Sequence, residues 1–221
     1  MKIGSQTYDA VVFDMDGVIF DSEKLVVVCW QEIASKYNIP DIEEACHECL
    51  GLNRVATKEK FLQRYGEDFP YDVYKSEMSA LYHSRYSGGN LPQKPGVVEL
   101  LQALKLAGKK VALASSTRQE VVIAELTDGG IVSFFDSIVC GDMVSKSKPD
   151  PEIFLKACEC LGVKPEQAYA IEDSYNGIRA ASGGGLRPIM VPDMAEPTTE
   201  MEELAEVILP SLFEVKTYLQ L

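Results

Sequence analysis

Short apolar runs along this chain alternate with stretches in which apolar residues recur every three or four positions. A short apolar run bounded by turn residues predicts a buried strand, and the three-to-four spacing predicts an amphipathic helix. Strands and helices that alternate in this way build a parallel sheet with helices on both faces. The predicted strands are residues 10–13, 111–114, 138–140, 168–171 and, as the last, 186–191.

The alternation is interrupted after the first strand by a long block that contains helical patterns and no strand pattern. We interpret this block as an α-helical insert in an α/β fold, because a segment without strands adds nothing to a sheet. Its predicted helices are residues 23–37, 42–50, 54–65 and 71–86. The prediction is therefore a parallel-sheet α/β core of residues 1–21 and 91–221 with an inserted α-helical domain of residues 22–90.

Composition and charge argue against some kinds of binding partner. The chain has 221 residues, of which 46% are hydrophobic and 25% charged, as is usual for a globular protein. Its net charge of -13 argues against a nucleic-acid partner, since phosphate backbones require basic surfaces. No apolar run is long enough to span a bilayer, and residues 1–9 lack the apolar segment of a signal peptide. We expect a cytoplasmic monomer with no membrane partner.

Six cysteines raise the question of a metal site or disulfides. Cys46 and Cys49 flank His47 at a spacing that zinc sites use, but the chain has one other histidine and no second pair of this spacing. Without a secretion signal, reduced thiols are the expected state.

Two aspartates follow the first predicted strand directly. Asp14 and Asp16 are two positions apart, so in extended backbone they point the same way. Neighbouring carboxylates repel each other unless a proton or cation lies between them, and Mg²⁺ is a cation that prefers oxygen ligands. The alternative is that the pair caps the helix that follows, where Asp is common.

Other predicted strands and loops also end in polar residues. Residues 115–117 follow the second strand, Glu172 and Asp173 end another, and Lys148 precedes a helix. Each has a simpler interpretation. Ser116 or Thr117 could cap a helix, and Lys148 could be a solvated loop lysine. Glu172 and Asp173 could open a helix and interact favourably with its dipole. Because carboxyl ends of parallel strands share one edge of a sheet, a common site explains all of them together.

Phosphoryl transfer needs these residue types. Asp14 would be the nucleophile that forms an aspartyl phosphate, and Asp16 would protonate the leaving oxygen and later activate water. Ser115 and Ser116 would hold phosphate oxygens at a helix N-terminus, with Ser116 also contacting substrate.

The remaining charged residues would neutralise the site. Lys148 would supply fixed positive charge beside Asp14 and the phosphate. Asp173, with Glu172 beside it, would complete a Mg²⁺ site begun by Asp14 and Asp16.

Four segments, taken in order, resemble the signature of the haloacid dehalogenase superfamily in its subgroup with a helical cap. They are residues 14–22, 115–117, 148–151 and 171–177. The resemblance implies a Rossmann-like core, a cap inserted after the first strand, and Mg²⁺-dependent phosphoryl transfer through phosphorylated Asp14. An aspartate two residues after the nucleophile, here Asp16, indicates the phosphatase and phosphomutase branches.

Within that superfamily the chain is similar to β-phosphoglucomutase and its phosphatase relatives. Residues 51–54 resemble a cap segment whose arginine meets the substrate's distal phosphate, which makes Arg54 a candidate substrate contact, although it could equally be an exposed residue at a helix start. The mutase has a histidine on its first cap helix where this chain has Val26. The resemblance thus favours a phosphatase for a small phosphorylated metabolite, with a sugar phosphate expected. A hexose phosphomutase is the alternative, and a binding protein on the same scaffold is the third hypothesis.

A hinged cap would control access of water or a second sugar to an aspartyl phosphate. The predicted crossings between cap and core are residues 20–22 and 87–91.

Overall fold

In a computed structural model that describes residues 7–50, 52 and 54–221, six strands form one parallel sheet. Their order across the sheet is β3-β2-β1-β4-β5-β6, which confirms the predicted Rossmann-like core. The strands are β1 (Ala10–Phe13), β2 (Lys110–Ser115), β3 (Ser137–Cys140), β4 (Ala168–Glu172), β5 (Arg187–Met190) and β6 (Val207–Ile208).

Helices occur both in the insert and between the later strands. In the insert they are α1 (Ser22–Tyr37), α2 (Ile42–His47), α3 (Arg54–Tyr65) and α4 (Tyr71–Tyr86). The later ones are α5 (Val97–Leu106), α6 (Gln119–Asp128), α7 (Glu152–Leu161), α8 (Tyr175–Gly183), α9 (Thr199–Leu204) and α10 (Leu212–Tyr218).

The sheet is buried on both faces because alternate residues of its strands enter different clusters. In β1, Val11 and Phe13 pack with α5 and α10 on one face, whereas Ala10 and Val12 pack with α7 and α8 on the other. A strand covered on both sides has no solvent-facing position, which explains why β1 is a continuous apolar run.

Two predicted boundaries were wrong. Residues 186–191 do not hold the last strand, because β6 follows them. β6 consists of two half-buried residues, which are too few to produce a recognisable sequence pattern. The second cap helix ends at His47 instead of residue 50, because the backbone N–H groups of Cys49 and Leu50 bond three residues back, as in a turn.

The cap has its own core, separate from the two clusters at the sheet. Its centre is aromatic: the ring of Phe61 lies 5.0 Å from that of Trp30 and 5.0 Å from that of Tyr71. Met78 on α4 and Ile33 on α1 are buried around these rings. The predicted helical insert is therefore confirmed as a packed unit above the sheet edge.

Two antiparallel segments connect the cap with the sheet domain. The backbone N–H of Asp21 donates to Pro92, at 3.0 Å, and that of Lys94 donates to Ile19, at 2.8 Å. The first segment, which includes Asp21, lies at the predicted crossing of residues 20–22. The second segment forms its hydrogen bonds at Pro92 and Lys94, just after the predicted crossing of residues 87–91. The domain boundaries stay a prediction. Within the described residues, no helix is both long and apolar enough to cross a membrane.

Candidate active site

The two strands at the centre of the sheet bring acidic residues together. β1 and β4 are neighbours, with Phe13 beside Ile171, so Asp14 and Asp173 leave the sheet at the same edge. From β1 the sheet continues to β2 on one side, and from β4 it continues to β5 on the other side. The connections that leave the two strands therefore diverge, which opens a crevice at the carboxyl ends of β1 and β4. The predicted acidic residues therefore meet where an open α/β sheet binds its ligands.

Lys148 is the buried cation of the site. Its ammonium donates to Asp14 Oδ1 at 2.5 Å, to Glu172 Oε1 at 2.6 Å and to the carbonyl of Ala114 at 3.0 Å. Burial lowers the pKa of Lys148, but the attraction of the two carboxylates outweighs it and the net shift is upward. Lys148 is thus a fixed positive charge, and the alternative of a solvated loop lysine is wrong.

Glu172 has hydrogen bonds on both carboxylate oxygens. Besides the bond from Lys148 to Oε1, Oε2 accepts the backbone N–H groups of Asp173 and Ser174 and the Ser174 hydroxyl, at 3.1–3.2 Å. Ser174 also accepts the N–H of Gly177 and caps α8. Glu172 therefore holds Lys148 and the loop after β4 in place.

Asp16 is oriented by hydroxyl groups from two elements. Ser22, at the start of α1, donates to Oδ1 at 2.6 Å, and Thr117, after β2, donates to Oδ2 at 3.0 Å. Neither Ser116 nor Thr117 caps α6, contrary to the simpler interpretation; Asp142 accepts the N–H of Gln119 at the start of that helix. Sequence reasoning gave Ser22 and Thr117 no role toward Asp16, because hydroxyls are too common to single out.

The two predicted phosphate-binding serines lie in different environments. Ser115 is fully buried, and its hydroxyl oxygen accepts the N–H of Thr117 at 3.1 Å. Ser116 is exposed and lines the cavity above the acidic residues, whereas Ser115 is not among the residues that line it. A role for Ser115 toward phosphate stays a prediction.

A cavity of about 500 Å³ lies between the sheet edge and the cap. Its floor contains Asp14, Asp16, Lys148 and Asp173. Its volume is within the range of small-molecule sites. The wall supplied by the cap contains Glu23, Val26, Trp30, Cys46, Cys49, Arg54, Phe61, Tyr71, Lys75 and Met78.

The predicted cap residues thus face the acidic floor. Arg54, the first residue of α3, lines the cavity, as does Val26. Of the segment 51–54 that carries the resemblance, Gly51 and Asn53 lie outside the described residues.

The acidic floor fits a divalent cation. Oxygens of Asp14, Glu172 and Asp173 lie within 4.8 Å of one another. Gly17 permits this approach, because it has a φ of +78° and a Cβ there would overlap the Asp173 carboxylate. An all-oxygen, anionic ligand set is what Mg²⁺ prefers.

The charge of these carboxylates is poorly compensated by protein alone. Burial, together with the charges of Glu172 and Asp16, raises the pKa of Asp14 to about 8 against the opposing effect of Lys148. Burial, followed by Glu23 and Glu172, raises the pKa of Asp173 well above its usual range. A bound cation would lower both pKa values by favouring the ionised forms.

Four charged residues of the cavity were not identified from the sequence. Glu23 and Lys75 line it from α1 and α4, Glu125 lines it from α6, and Arg118 lines it just before α6. Burial raises the pKa of Glu23 to about 8 and that of Glu125 to about 7. Each lies inside a helical pattern where charged residues are ordinarily solvent-facing, so no local signal distinguished them.

The sequence of the chain is similar to those of known proteins. The family model for "Haloacid dehalogenase-like hydrolase" matches residues 11–191. A phosphorylated carbohydrates phosphatase of Thermotoga maritima is 33% identical over 186 residues, which are 82% of this chain and 83% of that protein. The β-phosphoglucomutase of Bacillus subtilis is 34% identical over 185 residues, 80% of each chain.

The fold of the chain is also similar to that of solved structures. The crystal structure of a CbbY variant from Rhodobacter sphaeroides in complex with xylulose-(1,5)bisphosphate superposes with a TM-score of 0.75. It is 28% identical in sequence, and the match covers 94% of this chain and 96% of the other.

Proposed function

Because the chain belongs to the haloacid dehalogenase-like hydrolases, in the capped subgroup of β-phosphoglucomutase and CbbY, we propose that Asp14 is its phosphoryl acceptor. The protein is a phosphatase of that family, which acts on phosphorylated sugars or metabolites. The observation that carries the proposal is Asp14 itself, buried at the cavity floor with one oxygen held by Lys148.

The reaction proceeds in two steps. A carboxylate oxygen of Asp14 attacks phosphorus, the ester P–O bond breaks, and Asp16 gives a proton to the leaving alkoxide oxygen. Water then attacks phosphorus of the aspartyl phosphate while Asp16 takes its proton, which releases inorganic phosphate and restores Asp14. The bonds from Ser22 and Thr117 orient Asp16 for both transfers.

Mg²⁺ is the cofactor of this proposal, held by Asp14 and Asp173, with Asp16 and Glu172 as the further predicted ligands. When bound, it neutralises phosphoryl oxygens so that the dianion can approach carboxylates. Lys148 supplies the second positive charge, and its three hydrogen bonds keep that charge in place. Ser116 lines the cavity beside these groups, in position to bind phosphate oxygens.

The expected substrate is a sugar phosphate, with Arg54 as a contact from the cap. The position of Arg54 in the cavity wall supports this expectation. Two relatives support it as well: one is named as a phosphatase of phosphorylated carbohydrates, and the structure of the other contains a sugar bisphosphate. No partner beyond this metabolite is proposed; a monomer in the cytoplasm stays the prediction.

A hexose phosphomutase is the second candidate function, favoured by Arg54 and by similarity to a β-phosphoglucomutase. Val26 argues against it. This aliphatic side chain lines the cavity and cannot transfer a proton, and by the resemblance it takes the place of the mutase's acid-base histidine.

The deciding experiment is phosphate release from a panel of sugar phosphates, with Mg²⁺ or with EDTA, by the wild type and Asp14→Asn. We expect Mg²⁺-dependent release that falls at least about a thousandfold in Asp14→Asn. The matched control Asp68→Asn, an exposed cap aspartate, should retain it. Isomerisation of a sugar 1-phosphate primed by a bisphosphate would show the mutase instead. If neither activity occurs with any substrate, the binding-protein hypothesis stands.

A further inference from the structure

Asp193, in the loop after β5, has a carboxylate that is only half paired. Its side chain is 1% exposed, and Oδ1 accepts the ammonium groups of Lys24, at 2.5 Å, and Lys94, at 2.7 Å. Oδ2 is also buried, but it accepts no hydrogen bond from the residues that the structure describes. A buried carboxylate oxygen without a donor or a cation is costly, because it has lost its hydration. The structure therefore leaves a position beside Asp193 for a positively charged group.

This carboxylate is aimed into a cluster with two others. Oxygens of Glu23, Asp173 and Asp193 lie within 4.8 Å of one another. Glu23 belongs to α1 of the cap, Asp173 follows β4 at the cavity floor, and Asp193 follows β5, so three separate elements supply the oxygens. Glu23 and Asp173 also line the cavity, which gives the cluster a route to solvent.

The two lysines that bind Asp193 do not neutralise the cluster. Both also lie near Asp21, whose Oδ1 is 3.3 Å from the ammonium of Lys24 and 3.7 Å from that of Lys94. Their two positive charges are therefore shared between Asp21 and Asp193. Among the described residues, no lysine or arginine is within ion-pair distance of the other two acids of the cluster. Like charges this close repel each other strongly where water is excluded, so the cluster needs a further positive charge.

The cluster is adjacent to the cation site of the proposed function, but it is a different site. Oxygens of Asp14, Glu172 and Asp173 form the floor site, and Asp173 is the one residue common to both groups. A carboxylate has two oxygens and can bind one cation with each, and protein sites for two metal ions hold them about 3.5–4 Å apart. The proposed function needs only the floor cation, so a second cation is an additional property of the protein.

We propose that Glu23, Asp173 and Asp193 bind a second divalent cation, which connects α1 of the cap with the core. Carboxylate oxygens are ligands that suit Mg²⁺ and Mn²⁺. The cation supplies the partner that the carboxylate of Asp193 lacks, and it relieves the repulsion between the three acids. The inference rests on the proposed function only for the first cation, with which the second shares Asp173.

The first test counts the Mn²⁺ ions bound per chain, from the signal of the free ion in electron paramagnetic resonance. We expect about two for the wild type and about one for Asp193→Asn or Glu23→Gln. Asp21→Asn is the matched control, because Asp21 shares both lysines with Asp193 but is not one of the clustered acids, and it should leave the count unchanged.

Glu23→Gln keeps this test valid if the loss of both lysine pairs prevents Asp193→Asn from folding. The alternative to a cation is a proton shared within the cluster, and it predicts a count that neither variant lowers. That result would overturn the proposal.

The second test separates this site from the floor site. Asp14→Asn should remove only the floor ion, and Asp14→Asn/Asp193→Asn should remove both. If Asp14→Asn leaves the count unchanged while Asp193→Asn lowers it, the floor site of the proposed function fails and the second site stands.

The spectrum of the bound ions tests the shared ligand. With both sites filled, Asp173 between the two ions should give the spectrum of a magnetically coupled Mn²⁺ pair, and Asp193→Asn should convert it to that of an isolated ion. A spectrum of isolated ions in the fully occupied wild type would overturn the bridging role of Asp173.

Discussion

The cations on the floor of the cavity and on its cap wall differ in whether carboxylates of the protein pair with them. On the floor, Lys148 is bonded to two carboxylates and a carbonyl, and Glu172 has donors on both oxygens. On the wall, Arg54 and Lys75 face the cavity beside aromatic rings, without a carboxylate partner among the described residues. The protein thus fixes the cation beside the proposed nucleophile, whereas no carboxylate among the described residues fixes the two cations of the wall.

The same contrast appears in how the two regions are stabilised. The floor depends on side chains that are far apart in sequence, such as Lys148 and Asp14, and on backbone that approaches closely at Gly17. The cap depends on aromatic side chains that pack around Phe61 in tilted and edge-to-face arrangements. Substitutions should therefore affect the floor through charge and close contact, and the cap through lost apolar packing.

The largest effect should come from Lys148→Met, which leaves Asp14 and Glu172 buried next to each other without their cation. We expect about 3–5 kcal/mol of lost stability at pH 8, measured by urea unfolding in EDTA, and loss of phosphatase activity. Lys146→Met, two residues away in the same loop and 69% exposed, should change stability by less than about 0.5 kcal/mol. Equal effects of the two variants would contradict the account of the floor.

Phe61→Ala is the corresponding test of the cap. Phe61 is 1% exposed, so its removal should cost about 3 kcal/mol through a cavity among the aromatic rings. Trp30 is the single tryptophan of the chain and lies against Phe61, so its fluorescence reports the cap while far-UV circular dichroism reports the whole protein. Phe213→Ala, at a residue that is 46% exposed on α10, should cost under about 1 kcal/mol. Similar costs would mean that the aromatic cluster does not stabilise the cap.

Much of the floor could be predicted from sequence because its residues are tied to strand ends. Asp14 directly follows an apolar run, and Glu172 and Asp173 close another, so the sheet alone brings them together. The wall could not be predicted in this way. Lys75 lies within a helix whose cavity face and outer face carry similar residues, and only packing of α4 against the aromatic cluster decides which face is covered.

The floor and the cap each contain a glycine with positive φ, so the same change, Gly→Ala, can be made in both regions and its effect on stability compared. Gly17→Ala adds a Cβ that overlaps the Asp173 carboxylate, whereas nothing lies near a Cβ at Gly66, between α3 and α4. Gly66→Ala should cost about 1 kcal/mol from backbone conformation, and Gly17→Ala about 2 kcal/mol. Because Asp173 must move, Gly17→Ala should also raise the Mg²⁺ concentration for half-maximal activity about tenfold. An unchanged Mg²⁺ requirement would show that the close approach is unnecessary.

The smallest effect is expected at Glu125, a core residue on the boundary with the cap, whose pKa is raised to about 7 by burial and by the charges of Asp16 and Asp128. A carboxyl with a raised folded-state pKa stabilises the protein below its unfolded-state pKa of 4.5, and this stability is lost as pH rises through 7. The stability of the wild type relative to Glu125→Gln should thus fall by about 1–2 kcal/mol between pH 4.5 and 8, discounted for partial exposure. Urea unfolding in EDTA measures it, and the exposed Glu120→Gln on the same helix is the control. A difference that does not vary with pH would mean that Glu125 is solvated like the outer charges of the cap.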